Sequence, residues 1–189
     1  MNRLKQLDLS KWITSNVTDM TRMFYMCSSL EELNISYWDT SNVTYMSYMF
    51  SHCQSLKVLD ISNWNTSNVV EMDFMFFNCK SIKKLDLSNW DTSNVTGMNI
   101  MFGECETLKE LDLSNWDTSN VTGMEFLFDG CIALKKLYLT NFNTKNADLG
   151  GIFNQCKSLT DLITNDKRIL TVYKRKVKRN KSLQKELNT

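Results

Sequence analysis

At 189 residues, 42% of them hydrophobic, the chain has the length and apolar content of one or two ordered domains and lies outside the disordered class. It contains no run of 18 apolar residues that would span a membrane as a helix, no proline, and only 6 glycines to signal a break between compact domains. The net charge of +1 conceals a division: residues 1–165 carry 13 basic against 19 acidic side chains, a balance of −6, and residues 166–189 carry 9 against 2, a balance of +7.

The opening "MNRLKQLDLSKW" has neither the apolar stretch nor the small-residue cleavage site of a secretory signal, so the residues alone predict a cytoplasmic chain if the chain is complete. From Leu4 onward the sequence repeats itself. The fourteen letters "LDLSNWDTSNVTGM" run from Leu85 to Met98 and again from Leu111 to Met124. Cys27, Cys53, Cys79, Cys105 and Cys131 stand 26 residues apart, and Cys156 follows after 25. Trp12, Trp38, Trp64, Trp90 and Trp116 keep the same step, with Phe142 in the sixth place. Six coils are therefore expected, the last one residue shorter near Asp148.

Each coil divides into the same parts. "LKELDLS" (Leu108 to Ser114) alternates apolar and polar residues and predicts a short half-buried strand. "NWDTSN" follows, rich in turn formers. Val95, Met98, Met101, Phe102 and Cys105 then fall at helical spacing, which predicts an apolar stripe on a short helical or 3₁₀ segment. One strand and one helical turn cannot bury their apolar faces alone, so the units become stable only as a stack. Positions packed against their own copies must repeat; positions facing water need not. The expected fold is an α/β repeat: a right-handed leucine-rich-repeat solenoid of six 26-residue coils, with a parallel strand ladder on the concave side and short helices on the convex side. It would occupy residues 1–163, with 164–189 as a basic C-terminal cap or tail.

The string D-T-S-N-V-T-x-M-x-x-M-F-x-x-C-x-x-L, read from "LDLSNWDTSNVTGMNIMFGECETLKEL", resembles the BspA-type leucine-rich repeat over residues 4 to about 163. That family occurs in bacterial and protozoan surface proteins and in mycoplasma-type surface lipoproteins. The resemblance implies a solenoid at the cell surface or secreted, non-enzymatic, used for adhesion or for binding a host or extracellular protein partner. The residues themselves keep an alternative open: an interaction protein inside the cell, tethered to anionic membrane or nucleic acid by its basic tail, or a fragment of a longer surface protein.

Chemistry-bearing residues mostly read as scaffold. The M-x-x-M pairs (Met20/Met23, Met46/Met49, Met72/Met75, Met98/Met101) beside cysteines suggest a Cu(I) site, but Leu127, Leu149 and Ile152 replace methionines in later coils, which fits core packing. The six cysteines lie on the apolar stripe and predict a ladder of buried free thiols ahead of disulfides or zinc. Asn16, Asn42, Asn94 and Asn120 head N-V-T sequons, yet Thr-x-Asn is what persists in all six coils, pointing to a backbone-satisfying ladder. His52 is the only histidine; the variation at its equivalent positions marks it as solvent-facing, and Cys53 beside it is poorly placed for a dyad. No glycine-rich phosphate loop occurs, no cofactor is implied, and no enzymatic activity or small-molecule substrate is expected.

Two surfaces remain as candidates. On the strands, Asp8, Asn34, Asp60, Asp86, Asp112 and Tyr138 should share the concave face with Glu32, Lys84, Glu110 and Lys136. The aspartates form a strip of like charge, suited to a basic partner or Ca²⁺ or else satisfied by the neighbouring serines, Ser10 to Ser114. In the tail, Lys174, Arg175, Lys176, Lys178 and Arg179 would touch an anionic surface, or simply decorate a cap that hides the last apolar face.

Overall fold

The computed structural model describes residues 4–186 as a stack of coils closed by one long helix. The strands are β1 (Gln6–Asp8), β2 (Glu32–Asn34), β3 (Val58–Leu59), β4 (Glu110–Asp112), β5 (Lys136–Leu139) and β6 (Asp161–Thr164), followed by α1 (Lys167–Glu186). Every pairing is parallel and joins each leucine to its own copy: Leu7 to Leu33, Leu33 to Leu59, Leu111 to Leu137, and Leu137 to Leu162 across the shortened last step. The strands form two three-stranded ladders, β1–β3 and β4–β6. Between them, residues 84–86 of the fourth coil stay outside either ladder, although Leu85 is buried like its equivalents. The leucine-rich solenoid is thus present as expected, and β6 begins a further turn that α1 then replaces.

The segments expected to be short helices are not helical. Residues 20–27 form three overlapping turns, closed by the N–H groups of Met23, Tyr25 and Cys27 on the carbonyls of Met20, Arg22 and Phe24 at 3.2, 3.0 and 3.1 Å. Arg22 and Met26 have φ of 59° and 61°, and the same two places are left-handed in later coils, at Tyr48 and His52, Phe74 and Asn78, and Ile100 and Glu104. A positive φ at the third residue of an i→i+3 turn is the signature of type II. The physical reason lies in where the amides go. A helix would direct them along its own axis. Here alternate N–H groups turn toward the next coil, from Arg22, Phe24 and Met26 to the carbonyls of Ser47, Met49 and Ser51 at 2.9–3.0 Å. Left-handed backbone at a residue with a Cβ costs about 1–2 kcal/mol. The bonds to the next coil offset that cost by leaving no buried amide unpaired.

Conserved spacing within the chain now has a cause letter by letter. In D-T-S-N, the Asp39, Asp91 and Asp117 carboxylates accept the Ser41, Ser93 and Ser119 N–H groups at 2.9–3.0 Å. Thr14, Thr40, Thr66, Thr92 and Thr118 donate their hydroxyls forward to the carbonyls of residues 39, 65, 91, 117 and 143. Asn42, Asn68, Asn94, Asn120 and Asn146 donate their amides backward to Ser15, Ser41, Ser67, Ser93 and Ser119. The tryptophans stack with centroids 6.2–6.3 Å apart. A phenylalanine ladder from Phe24 to Phe153 runs alongside at 5.6–6.1 Å and ends edge-on against Tyr173 of α1. At the other end, Trp12 is 55% exposed whereas Trp64 is 2% exposed, because among the described residues a coil packs on only one side of Trp12.

Candidate functional site

The strand side presents two exposed rows flanking the buried leucines. One row is Asp8, Asn34, Asp60, Asp86, Asp112 and the half-buried Tyr138. Its acidic members bond to the serine two residues on: Ser62, Ser88 and Ser114 hydroxyls donate to Asp60, Asp86 and Asp112 at 2.8, 2.7 and 2.5 Å. The Ser10 backbone N–H pulls the Asp8 carboxyl below its ordinary value, and the Ser88 hydroxyl does the same for Asp86. The strip therefore has the serine partners that the spacing suggested, with one carboxylate oxygen of each aspartate engaged.

The other row is Gln6, Glu32, Val58, Lys84, Glu110, Lys136 and Asp161. From Lys84 onward its signs alternate, and the register places Glu110 beside Lys136 and Lys136 beside Asp161. Next to it runs a column that the sequence reading did not single out. Lys5 and Lys57 hold Glu31 between them at 2.9 and 2.6 Å, lowering its pKa to about 2, first through the Lys57 bond and then through Lys5. Lys83, Lys109 and Lys135 then follow in successive coils, all exposed. The column's signal in the sequence is a 26-residue step one residue before the strand positions. The strand side is of mixed charge, and a shallow trough of about 480 Å³ opens on it over Gln6, Asp8, Glu32, Asn34 and Val58.

The basic tail is α1. Ile169 is buried, Val172 and Tyr173 pack on the core, and Arg168 donates to the carbonyls of Thr144 and Ala147. These contacts lay the first turns of α1 on the last coil, and the tail cations divide by face. Lys174, Arg175, Lys178 and Arg179 are exposed, whereas Lys176 is half-buried with its ammonium 5.5 Å from the Tyr173 ring centroid.

The cysteines form the expected thiol ladder. All six are free, and Cys53, Cys79, Cys105, Cys131 and Cys156 donate S–H to phenylalanine carbonyls of the preceding coil at 3.0–3.3 Å. Burial pushes the Cys53 and Cys156 thiols up to about 12 and the three between them well above their ordinary value. His52 departs from expectation: it is half-buried, with Nδ1 at 2.7 Å from the Asn78 amide and edge contacts to Tyr25 and Phe77. Its coil position is a left-handed turn position, not a free helical surface. Among the described residues no group of three His, Cys, Asp or Glu side chains is placed to hold a metal ion.

Matches to a known sequence family cover residues 1–110 and 72–188, and that family is described as Mycoplasma protein of unknown function, DUF285. The chain belongs to this family. Among solved structures, the DUF285 solenoid is similar to a leucine-rich-repeat protein of T. pallidum (TpLRR), with 21% identity, a TM-score of 0.50, and coverage of 93% of this chain and 83% of that one. At that identity the likeness shows the leucine-rich-repeat fold. No curated protein matches the DUF285 chain by sequence.

Proposed function

We propose that this chain is a protein-binding solenoid working at the cell surface in adhesion or host contact, and that its strand side carries recognition. The observation behind this reading is the contrast between invariant and variable positions. The core positions repeat through all coils, whereas the exposed strand flanks change from Glu32 to Val58, Lys84, Glu110 and Lys136. A stack that needs only its interior to hold itself is free to vary that row, and the row is continuous, open and of mixed charge. The resemblance of the repeat to the BspA type supports the surface setting. A protein partner fits better than a small molecule, because the trough is shallow and the charged groups are spread over several coils rather than converging.

The test is binding of the purified, labelled chain to cultured host cells by flow cytometry, beside an Asp86→Lys/Glu110→Lys/Asp112→Lys variant. All three side chains are exposed and none packs in the core, so the variant should stay folded, with a midpoint lowered only by the loss of the Ser88 and Ser114 bonds. Its folding is checked by circular dichroism before binding is compared. Saturable binding that the variant loses supports the reading. Equal binding by both chains would move recognition off the strand side, and no saturable binding by the wild type would remove the adhesion reading. Protease shaving of intact source cells, with detection of peptides from residues 30–160, tests the surface setting separately.

A further inference from the structure

The turn ladder ends in the sixth coil with its donors unused. In each of the first five coils three alternate N–H groups donate to the next coil, fifteen bonds running from Arg22→Ser47 to Gly130→Asn154. The sixth coil repeats that backbone. Asn154 and Cys156 donate to the Gly151 and Phe153 carbonyls at 2.9 and 3.3 Å, and Gly151 and Gln155 have φ of 64° and 52°. No further turn segment follows, because α1 takes its place. The N–H groups of Gly151, Phe153 and Gln155 consequently point off the end of the stack, and none has an acceptor among the described residues.

These three residues line a cleft of about 570 Å³ between the last turn segment and α1. Its walls carry Lys157, Arg175, Lys176 and Arg179; its floor includes Ile152, Phe153 and Val172; no carboxylate is among the described lining residues. Two physical arguments make this more than a basic patch. First, the three N–H groups without acceptors leave partial positive charge at the mouth of the cleft. Four cations, Lys157, Arg175, Lys176 and Arg179, line the same cleft as these donors, so like partial and full charges are gathered in one place. Such a gathering of donors and cations, with no carboxylate lining the cleft among the described residues, favours an anionic ligand. Second, Lys176 occupies the buried stripe of α1 with Ile169, Val172 and Tyr173, and burial pushes its amine pKa down. No carboxylate lies within ion-pair distance of it among the described residues.

We propose that this cleft binds a phosphate monoester, its terminal oxygens accepting the Gly151, Phe153 and Gln155 N–H groups and its charge met by Arg175, Lys176 and Arg179. Backbone N–H groups left free around left-handed turn residues line anion-binding concavities elsewhere, and here Gly151 and Gln155 are left-handed. The volume falls within the roughly 300–1,000 Å³ of small-molecule sites, and the apolar floor leaves room for an organic body beyond the phosphate. A terminal phosphoryl group offers several acceptor oxygens to donors that line one cleft. A nucleic-acid backbone would need an open track, and the outward lysines Lys174 and Lys178 lie on the other flank of α1, beside Tyr173 and Val177.

The experiment is ¹⁵N–¹H NMR of the full chain titrated with inorganic phosphate at constant ionic strength, with chloride as reference. The Gly151, Phe153 and Gln155 amides should shift together and saturate. Arg175→Gln/Arg179→Gln should weaken binding at least about tenfold, the loss expected for charge-assisted bonds. Lys174→Gln/Lys178→Gln removes the same charge from the other flank and should leave affinity within about twofold. Cosedimentation with phosphatidylcholine vesicles, with and without phosphatidic acid, then separates the sources. Vesicle binding lost in the arginine pair assigns the phosphate to a lipid headgroup, and amide shifts without vesicle binding assign it to a soluble ester. Unmoved amides, or equal weakening by both pairs, would overturn the cleft and leave only diffuse charge on α1.

Discussion

Asp166→Ala should be the most damaging exposed-end substitution in this chain, because one carboxylate does two jobs there. Its Oδ1 accepts the Arg168 and Ile169 N–H groups at 2.8 and 2.9 Å and so caps α1. Its Oδ2 accepts the backbone N–H and hydroxyl of Thr144, both at 2.9 Å. In the preceding coils the equivalent threonine hydroxyl finds a backbone carbonyl of the next coil; Asp166 stands in for the carbonyl that the last coil lacks. Loss of an N-cap costs about 1 kcal/mol. Loss of bonds from buried Thr144 to a charged acceptor costs about 1.5–3 kcal/mol. The two overlap, so about 2–3 kcal/mol is expected in total.

Burial acts to raise the Asp166 pKa, but the N–H groups of Ile169 and Thr144, with the Thr144 hydroxyl and Arg168 N–H, outweigh it and the net shift is downward. A carboxyl lowered in the folded state contributes stability that is complete above its unfolded pKa, about 3.9, and is lost as pH falls through the folded value. The gap between wild type and Asp166→Asn should therefore be widest near neutrality and close below about pH 4. Urea unfolding followed by far-UV circular dichroism and by tryptophan fluorescence is the assay, with the helix signal of Asp166→Ala lost at lower urea than the tryptophan signal. A change below about 0.5 kcal/mol with coincident transitions would refute the capping argument.

Three further outcomes follow from single departures in the ladders. Trp38, Trp90 and Trp116 donate their indole N–H to carbonyls at 3.0–3.3 Å, whereas the buried Trp64 Nε1 has no acceptor. Trp90→Phe should thus cost about 1 kcal/mol more than Trp64→Phe in urea midpoint analysis, and equal costs would dissolve the distinction. Asp73 has its carboxyl pKa raised by burial, partly countered by the Asn99 N–H at 2.6 Å. The folded value lies above the unfolded one, so stability is lost as pH rises through it, and Asp73→Asn should raise the thermal midpoint at pH 7 but not at pH 3. Residues 84–86 join neither strand ladder, so the Leu85 amide should exchange with deuterium faster than those of Leu33, Leu111 and Leu137; equal protection would show the ladder to be continuous.

Periodicity was enough to read the coils, the strand register and the thiol ladder, because each rests on a residue packing against its own copy. It failed for the turn segments. Val95, Met98, Met101, Phe102 and Cys105 have helical spacing, but spacing records which side chains face inward and says nothing of where the amides go. The left-handed positions were hidden for the same reason: Arg22, Tyr48, Phe74 and Ile100 share a backbone state without sharing a residue type, since the bond to the next coil holds the conformation whatever the side chain. Two glycines do have a readable cause once packing is known. A Cβ on Gly97 would lie 2.8 Å from the Asp73 carboxylate, and one on Gly123 would lie 2.4 Å from the Asn99 amide.

In a solenoid the repeated letters are those with a duty to the neighbouring coil, so binding has to be sought where that duty lapses. It lapses along the strand flanks, which touch no neighbour's core, and at the sixth coil, where α1 replaces the next turn segment and leaves N–H groups outward. Ile169, Val172 and Tyr173 hide the last apolar face, and Arg168 pins α1 to the Thr144 and Ala147 carbonyls. Among the described residues Arg175 and Arg179 make no ion pair, and deleting their charge while keeping the apolar stripe separates capping from binding. Arg175→Gln/Arg179→Gln should leave the urea midpoint unchanged or slightly raised, since like-charge repulsion falls. A lowered midpoint would instead mean that these arginines hold the cap in place.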